Sequence, residues 1–132
     1  MKKIITILVA VMPLIISLFF IYKESCSEVI VHYDKIHAFV SIGKQTEAEA
    51  FARQTFRNAS EEYNTSKEMD CDCQEKHKLN LAKAAYVLGS ILSLQNNNEA
   101  LYFIEMAIEL DPGNDSYTET KERVAAILSL SS

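Results

Sequence analysis

The chain has 132 residues, a formal net charge of −5, only three glycines and two prolines, and no tryptophan. This length allows one compact domain beside an apolar N-terminal segment, and the scarcity of turn-forming residues argues against a β-rich fold and for an all-α one. Outside Lys2, Lys3 and Lys23 the chain carries 10 basic and 18 acidic residues. Such a charge repels phosphate backbones, so no nucleic acid is expected as a partner.

Residues 4–22 form an uncharged apolar run, which reads IITILVAVMPLIISLFFIY. A helix over these 19 residues would be about 28 Å long, close to the hydrocarbon thickness of a bilayer. We therefore predict an N-terminal transmembrane helix and assign residues 1–23 to a membrane anchor. Because Lys2 and Lys3 precede the run, the positive-inside rule keeps the N-terminus in the cytoplasm. It places residues 24–132 outside the cytoplasm, in the periplasm if the cell is bacterial.

A cleaved signal peptide is the main alternative for this segment, with Ser25-Cys26-Ser27 as the small-residue cleavage site. The apolar run is longer than the usual run of about 7–15 residues in a signal peptide, and Lys23 separates it from the cleavage site, so the anchor is preferred. A lipoprotein signal would acylate Cys26, but a lysine three residues before that cysteine fits this pattern badly. All three interpretations export the remaining domain.

The first predicted hairpin covers residues 24–63. Ser25 and Glu28 have the spacing of a capping box, and they begin a first helix whose apolar residues recur at helical intervals. After a short break, Thr46 and Glu49 form a second capping box and begin the second helix. The short connection favours antiparallel packing of the two helices.

Residues 64–75, NTSKEMDCDCQE, lack apolar periodicity and are predicted to form a loop that is long for a helical domain. Export favours disulfides, so Cys26 is predicted to bond to Cys71 or Cys73, which would tie the loop to the first helix. Closing a ring of about 45 residues would stabilise the domain by roughly 3–4 kcal/mol. A strained bond between Cys71 and Cys73 is the alternative. In either case the third thiol stays free or joins two chains.

Cys71, Cys73 and His77 offer a second interpretation of the same segment, because thiolates and an imidazole are ligands for a metal ion or a redox centre. Recognised zinc modules use two closely spaced cysteine pairs, and this sequence has no second pair. We therefore assign no metal and no cofactor, and keep a metal-binding or redox protein as the alternative function.

Residues 76–114 are predicted to form a second antiparallel pair of helices. The first helix of the pair begins near Lys76 and ends near Leu94, and the second ends at Leu110. The sequence DPGN at residues 111–114 stops the second helix, because neither proline nor glycine continues a helix easily.

The last predicted helix covers residues 115–132. Ser116 and Glu119 have capping-box spacing and begin it. Three apolar residues are predicted to face the core: Val124, Ile127 and Leu128.

The pair within residues 82–114 carries a specific pattern of small and large residues. Its first helix has a small residue, a Leu-Gly pair and a large residue, which are Ala85, Leu88, Gly89 and Leu92. Its second helix has two alanines around a large residue and is followed by a proline, and these are Ala100, Ile104, Ala107 and Pro112. In this pattern the segment resembles a tetratricopeptide repeat, the unit of a family of stacked helical hairpins. The small residues let the two helices approach closely. The resemblance implies TPR-like antiparallel hairpins closed by a capping helix. The first hairpin is either a degenerate repeat or an ordinary α-hairpin.

Members of this family usually bind peptides or protein segments on a concave surface lined by the first helix of each pair. The resemblance implies that Lys83, Tyr86, Ser90 and Ser93 face this surface, and ordinary solvated positions are the alternative. One repeat gives a shallow groove, so a homo-oligomer or a multi-subunit complex would enlarge it. We therefore expect a membrane-anchored, extracytoplasmic module that binds another protein and helps assemble or regulate a larger complex. Catalysis is not predicted, since the sequence has no phosphate-binding loop, nucleophile elbow or paired-histidine motif.

Overall fold

The computed structural model of the chain describes residues 33–69 and 72–130. Over these ranges the protein is all-α, with no strand and five helices: α1 Tyr33–Ser41, α2 Gln45–Glu68, α3 Gln74–Leu94, α4 Glu99–Leu110 and α5 Asp115–Leu130. The predicted transmembrane span at residues 4–22 and the predicted start of the first helix at Ser25 lie outside these ranges. Among the described helices, none combines the length and the apolar character that a bilayer crossing requires.

Short turns connect the helices and set neighbours antiparallel. Between α1 and α2 the chain reverses at Gly43, whose φ of +79° is the left-handed conformation that glycine adopts without a steric penalty. There the N–H of Lys44 donates to the carbonyl of Phe39 at 2.8 Å, which closes the end of α1. At the end of α3, Asn96 adopts a positive φ of 54°, a conformation that asparagine tolerates better than most residues. The chain can therefore reverse within four residues, 95–98, before α4 begins.

Helix α3 lies at the centre of the domain and packs against α2, α4 and α5. Its buried residues occur around most of its circumference: His77, Leu81, Ala82, Ala84, Ala85, Val87, Leu88, Gly89, Ile91 and Leu92. The largest fully buried side chains of the domain are Leu88, Leu92 and Ile104. Each such side chain contributes about 1.5–3 kcal/mol through its removal from water, so the contact between α3 and α4 forms the main part of the core.

Gly89 lies at a tight contact between α3 and α4, where there is no room for a side chain. A Cβ atom at this position would lie 2.6 Å from Cγ1 of Ile104 and 3.0 Å from the carbonyl oxygen of Ala100. Ala100, which lies opposite Gly89, has no exposed surface. Ala107 is equally buried and packs in a cluster with Ala82 and Ala85. Of the eight residues in the repeat-like pattern, seven are buried, and only Pro112 in the turn after α4 is exposed.

Two helix starts differ from the predicted capping boxes. Helix α2 begins at Gln45 without a side-chain cap, so the prediction that Thr46 caps it is wrong. The backbone turn that closes α1 fixes this start, because it places the carbonyl of Lys44 to accept from the N–H of Ala48. Helix α5 begins at Asp115, and the side chain of Asn114 accepts from the N–H of Ser116 at 3.1 Å. Asn114 therefore caps α5 in place of Ser116.

The predicted loop at residues 64–75 is shorter in the structure. Helix α2 continues to Glu68 and α3 begins at Gln74, so the connection between them covers residues 69–73. Local contacts extend α2 through this polar sequence: the hydroxyl of Ser66 donates to the carbonyl of Tyr63 at 2.7 Å, and the ammonium of Lys67 lies 4.2 Å from the centre of the Tyr63 ring. These contacts with Tyr63 stabilise the last turns of α2, which have no apolar stripe.

Candidate partner-binding groove

A groove of about 510 Å³ lies between α1, α3 and α5. These are alternate helices along the chain, and α2 and α4 pack behind them. Helix α3 forms the floor with six residues: Tyr86, Val87, Ser90, Ile91, Ser93 and Leu94. Helix α1 forms one wall with Ile36, His37 and Val40, and α5 forms the other with Thr120, Arg123, Val124 and Ile127. Most of this lining is apolar, so the groove can bury apolar surface of a partner.

Three of the four predicted partner-binding residues line the groove. Tyr86, Ser90 and Ser93 recur at helical spacing along one face of α3, and all three are partly exposed. Lys83 precedes Tyr86 by one turn on the same stripe, and its side chain is exposed outside the lining. The stripe therefore extends past the N-terminal end of the groove.

The serine hydroxyls of the floor already donate their hydrogens within α3. The Ser90 hydroxyl donates to the carbonyl of Tyr86 at 2.8 Å, and the Ser93 hydroxyl donates to the carbonyl of Ser90 at 2.6 Å. Each hydroxyl has a single hydrogen, so toward a partner both oxygens act as acceptors. The floor is consequently apolar with two weak acceptor positions, and it offers no free serine donor.

A hydrogen-bonded chain joins the floor to the α5 wall. The Thr120 hydroxyl donates to the carbonyl of Ser116 at 2.8 Å, so it must accept from the Tyr86 hydroxyl, which lies 3.2 Å away. The guanidinium of Arg123 also donates to this Thr120 oxygen, at 3.3 Å. Tyr86 and Arg123 are thereby held at the same edge of the groove.

Tyr117 supports Tyr86 from behind. The two rings have centroids 4.7 Å apart, and Tyr117 is buried. Burial raises the pKa of the Tyr117 phenol above its usual value of 10.0, and the negative charge of Asp111 and the neighbouring Tyr86 raise it further. The phenol therefore stays neutral over the physiological range, and the stacked pair keeps the Tyr86 ring in place.

The mouth of the groove exposes large apolar side chains. Leu94 is 56% exposed and Ile127 is 46% exposed. The prediction that Ile127 faces the core is therefore wrong, although Val124 and Leu128 are buried as expected. Val124 and Leu128, one turn apart, occupy the inward stripe of α5, and Ile127 lies beside that stripe, at the edge facing α3.

Sequence reasoning placed the site on α3 alone and missed Arg123 and the walls from α1 and α5. The helical stripe containing Ile36 and Val40 was visible in the sequence, but it predicts burial and gives no sign of a groove. For Arg123 the only signal is its position next to the inward residue Val124. Its place at the groove depends on how α5 lies across α3, which no local pattern reveals.

The connection between α2 and α3 contains the other predicted site. Cys73 is buried and disulfide-bonded, and its carbonyl accepts from the N–H of His77 at 2.9 Å. Cys26 and Cys71 lie outside the described residues, so the bond from Cys26 to this loop stays a prediction. A disulfide sulfur is not a thiolate ligand, so the oxidised state removes Cys73 from the alternative metal set.

His77 is buried beside α2. Its Nδ1 lies 3.6 Å from a carboxylate oxygen of Glu62, too far for a hydrogen bond, and this nitrogen has no hydrogen-bond partner. No group of three or more metal-ligating side chains occurs within residues 33–69 and 72–130. In the described part of the chain the histidine therefore has one acidic neighbour and no ligand cluster around it.

Comparison with known protein families, characterised proteins and solved structures finds no match to this chain. The groove itself therefore indicates what the protein can bind. Its floor, its two walls and its single arginine are the chemical features available for recognition.

Proposed function

We propose that the chain is a tetratricopeptide-like interaction module that binds a segment of another protein in the groove between α1, α3 and α5. The main support is that alternate helices form one apolar concave surface, with Tyr86, Ser90 and Ser93 on its floor. Protein segments that bind such surfaces contribute apolar side chains, and the exposed Leu94 and Ile127 at the mouth would be covered by them. The tight contact at Gly89 supports the likeness to this family as well.

The proposal includes a place in the cell. An anchor at residues 4–22 would hold the domain at the extracytoplasmic face of a membrane, where the groove would help assemble or regulate a larger complex. The supporting observation is the uncharged run of 19 residues behind Lys2 and Lys3. A disulfide at Cys73 agrees with an oxidising compartment.

Site-specific photo-crosslinking in native membranes would test the groove. A photoreactive amino acid at Ser90 is expected to give an adduct of discrete mass, because this residue lies on the floor. The matched control is the same amino acid at Tyr102, which is 62% exposed on α4 and lies outside the groove lining. Equal adducts from both positions, or none from Ser90, would contradict the proposed function.

A further inference from the structure

Arg123 gives the groove a charge opposite to that of the chain as a whole. The lining contains no aspartate or glutamate, whereas the full sequence has 18 acidic and 13 basic residues. The Arg123 side chain is exposed, donates a hydrogen bond to Thr120, and has no carboxylate partner in the described part of the chain. A partner carboxylate would therefore be repelled by most of the surface and attracted at this point.

The dimensions of the floor limit the size of the occupant. The lining of α3 runs from Tyr86 to Leu94, and at 1.5 Å per residue this distance is about 12 Å. Two turns of a helix cover about 11 Å and present apolar side chains at positions i, i+4 and i+7 along one face. The floor can therefore accommodate two to three such side chains in a row.

Hydrogen bonding distinguishes a helical occupant from an extended one. An extended segment would bring unpaired backbone carbonyls against the floor, and the hydroxyls of Ser90, Ser93 and Thr120 have already donated their hydrogens. Unpaired polar groups buried in this way carry a large free-energy penalty. A helix satisfies its own backbone and presents only side chains, so it fits a groove lined by helices.

We propose that the groove binds an amphipathic helix of another protein, with apolar residues on the floor and one aspartate or glutamate paired with Arg123. The inference rests on the proposed function and specifies the partner's chemistry. The bound helix would cover Leu94 and Ile127, exclude water from the groove edge, and thereby strengthen the charge pair. The acidic residue fixes the register of the helix, because its apolar positions alone could slide by one turn.

Selection from a phage-displayed library would test this assignment on the full chain in detergent micelles. The probes are 16-residue amphipathic helices with fixed apolar positions and randomised polar positions. The parent is expected to enrich aspartate or glutamate at one position, and Arg123→Glu is expected to replace this preference by lysine or arginine. Arg123→Glu should also weaken binding of the parent's selected peptide by about tenfold or more. Arg57→Glu is the matched control, because Arg57 is an exposed arginine on α2 outside the groove lining.

The outcomes separate this inference from the proposed function. If Ser90→Trp abolishes peptide binding but Arg123→Glu leaves the selected sequence unchanged, the carboxylate pairing is wrong and the groove function stands. If Ser90→Trp has no effect on any selected peptide, both are wrong. If no peptide is enriched, or if vesicles of anionic phospholipid bind in an Arg123-dependent way and peptides do not, the helical partner is wrong. Melting curves of each variant confirm that the domain is folded.

Discussion

Replacing Gly89 by alanine should destabilise the domain, although alanine is the better helix former. The added methyl carbon would lie 2.6 Å from Cγ1 of Ile104, 3.0 Å from the carbonyl oxygen of Ala100 and 3.2 Å from the backbone nitrogen of Ile104. The nearest atom belongs to the Ile104 side chain and the other two belong to the backbone of α4, so a rotation of Ile104 would relieve only part of the overlap. The helices must also move apart by a few tenths of an ångström. Overpacking of this kind costs about 1–3 kcal/mol, and the backbone contacts favour the upper part of that range. The gain in helix propensity returns about 1 kcal/mol. We expect a net loss of about 2 kcal/mol in the free energy of unfolding.

Urea denaturation followed by circular dichroism measures this loss in the free energy of unfolding. In a thermal melt, the same loss corresponds to a fall in melting temperature of about 8–16 °C. Gly113→Ala is the matched control, because a Cβ there would have no atom within 4 Å. Both substitutions restrict the unfolded chain similarly, so the difference between them reflects the folded state, where Gly89 contacts α4 and lies within a helix. If Gly89→Ala is as stable as Gly113→Ala, the close packing at Gly89 is not a feature of the folded protein.

Three further predictions concern pH, the disulfide and the membrane. The pKa of Tyr117 is raised in the folded protein, so the stability that this residue contributes is fully present below about pH 10 and is lost as the pH rises through its folded-state pKa. The parent should therefore lose more stability than Tyr117→Phe between about pH 8 and 11. Equal losses of the two proteins in urea titrations would contradict this prediction. If Cys26 bonds to the connection between α2 and α3, Cys26→Ser should lower the free energy of unfolding by a few kcal/mol and expose residues 69–73 to protease. Three alkylatable thiols in protein from its native compartment would exclude the bond. Protease added outside spheroplasts should digest the domain, and a protected C-terminus would refute the proposed orientation.

The helices of the α3–α4 pair could be predicted closely from sequence. Helix α4 ends at Leu110 as expected, because apolar residues recur at helical spacing up to a proline and glycine that stop the helix. Helix α3 ends at Leu94 and begins at Gln74, two residues before the predicted start. Such long, strongly periodic segments carry their structural signal locally.

The remaining features depend on contacts that a local pattern does not contain. The extension of α2 to Glu68 relies on the ring of Tyr63, and the cap of α5 is Asn114, which was assigned to the preceding turn. The groove combines Ile36, Tyr86 and Arg123 from three separate helices. A periodic pattern shows which face of a helix is buried, but the relative placement of three helices is a tertiary property, so the pocket could not be predicted.

The alternation of helices around the groove determines when the proposed binding surface is completed during synthesis. Helices that are consecutive in the chain contact each other, and α3 also contacts α5, so each hairpin closes only a short stretch of chain and should form rapidly. The groove, in contrast to a hairpin, needs helices that are far apart in the chain, because one of its walls comes from α5, the last helix described. A nascent chain that has folded its first four helices would be compact and still unable to hold a partner. The proposed binding surface would thus be complete only after Asp115–Leu130 has emerged and docked, so unfinished chains would not capture a partner.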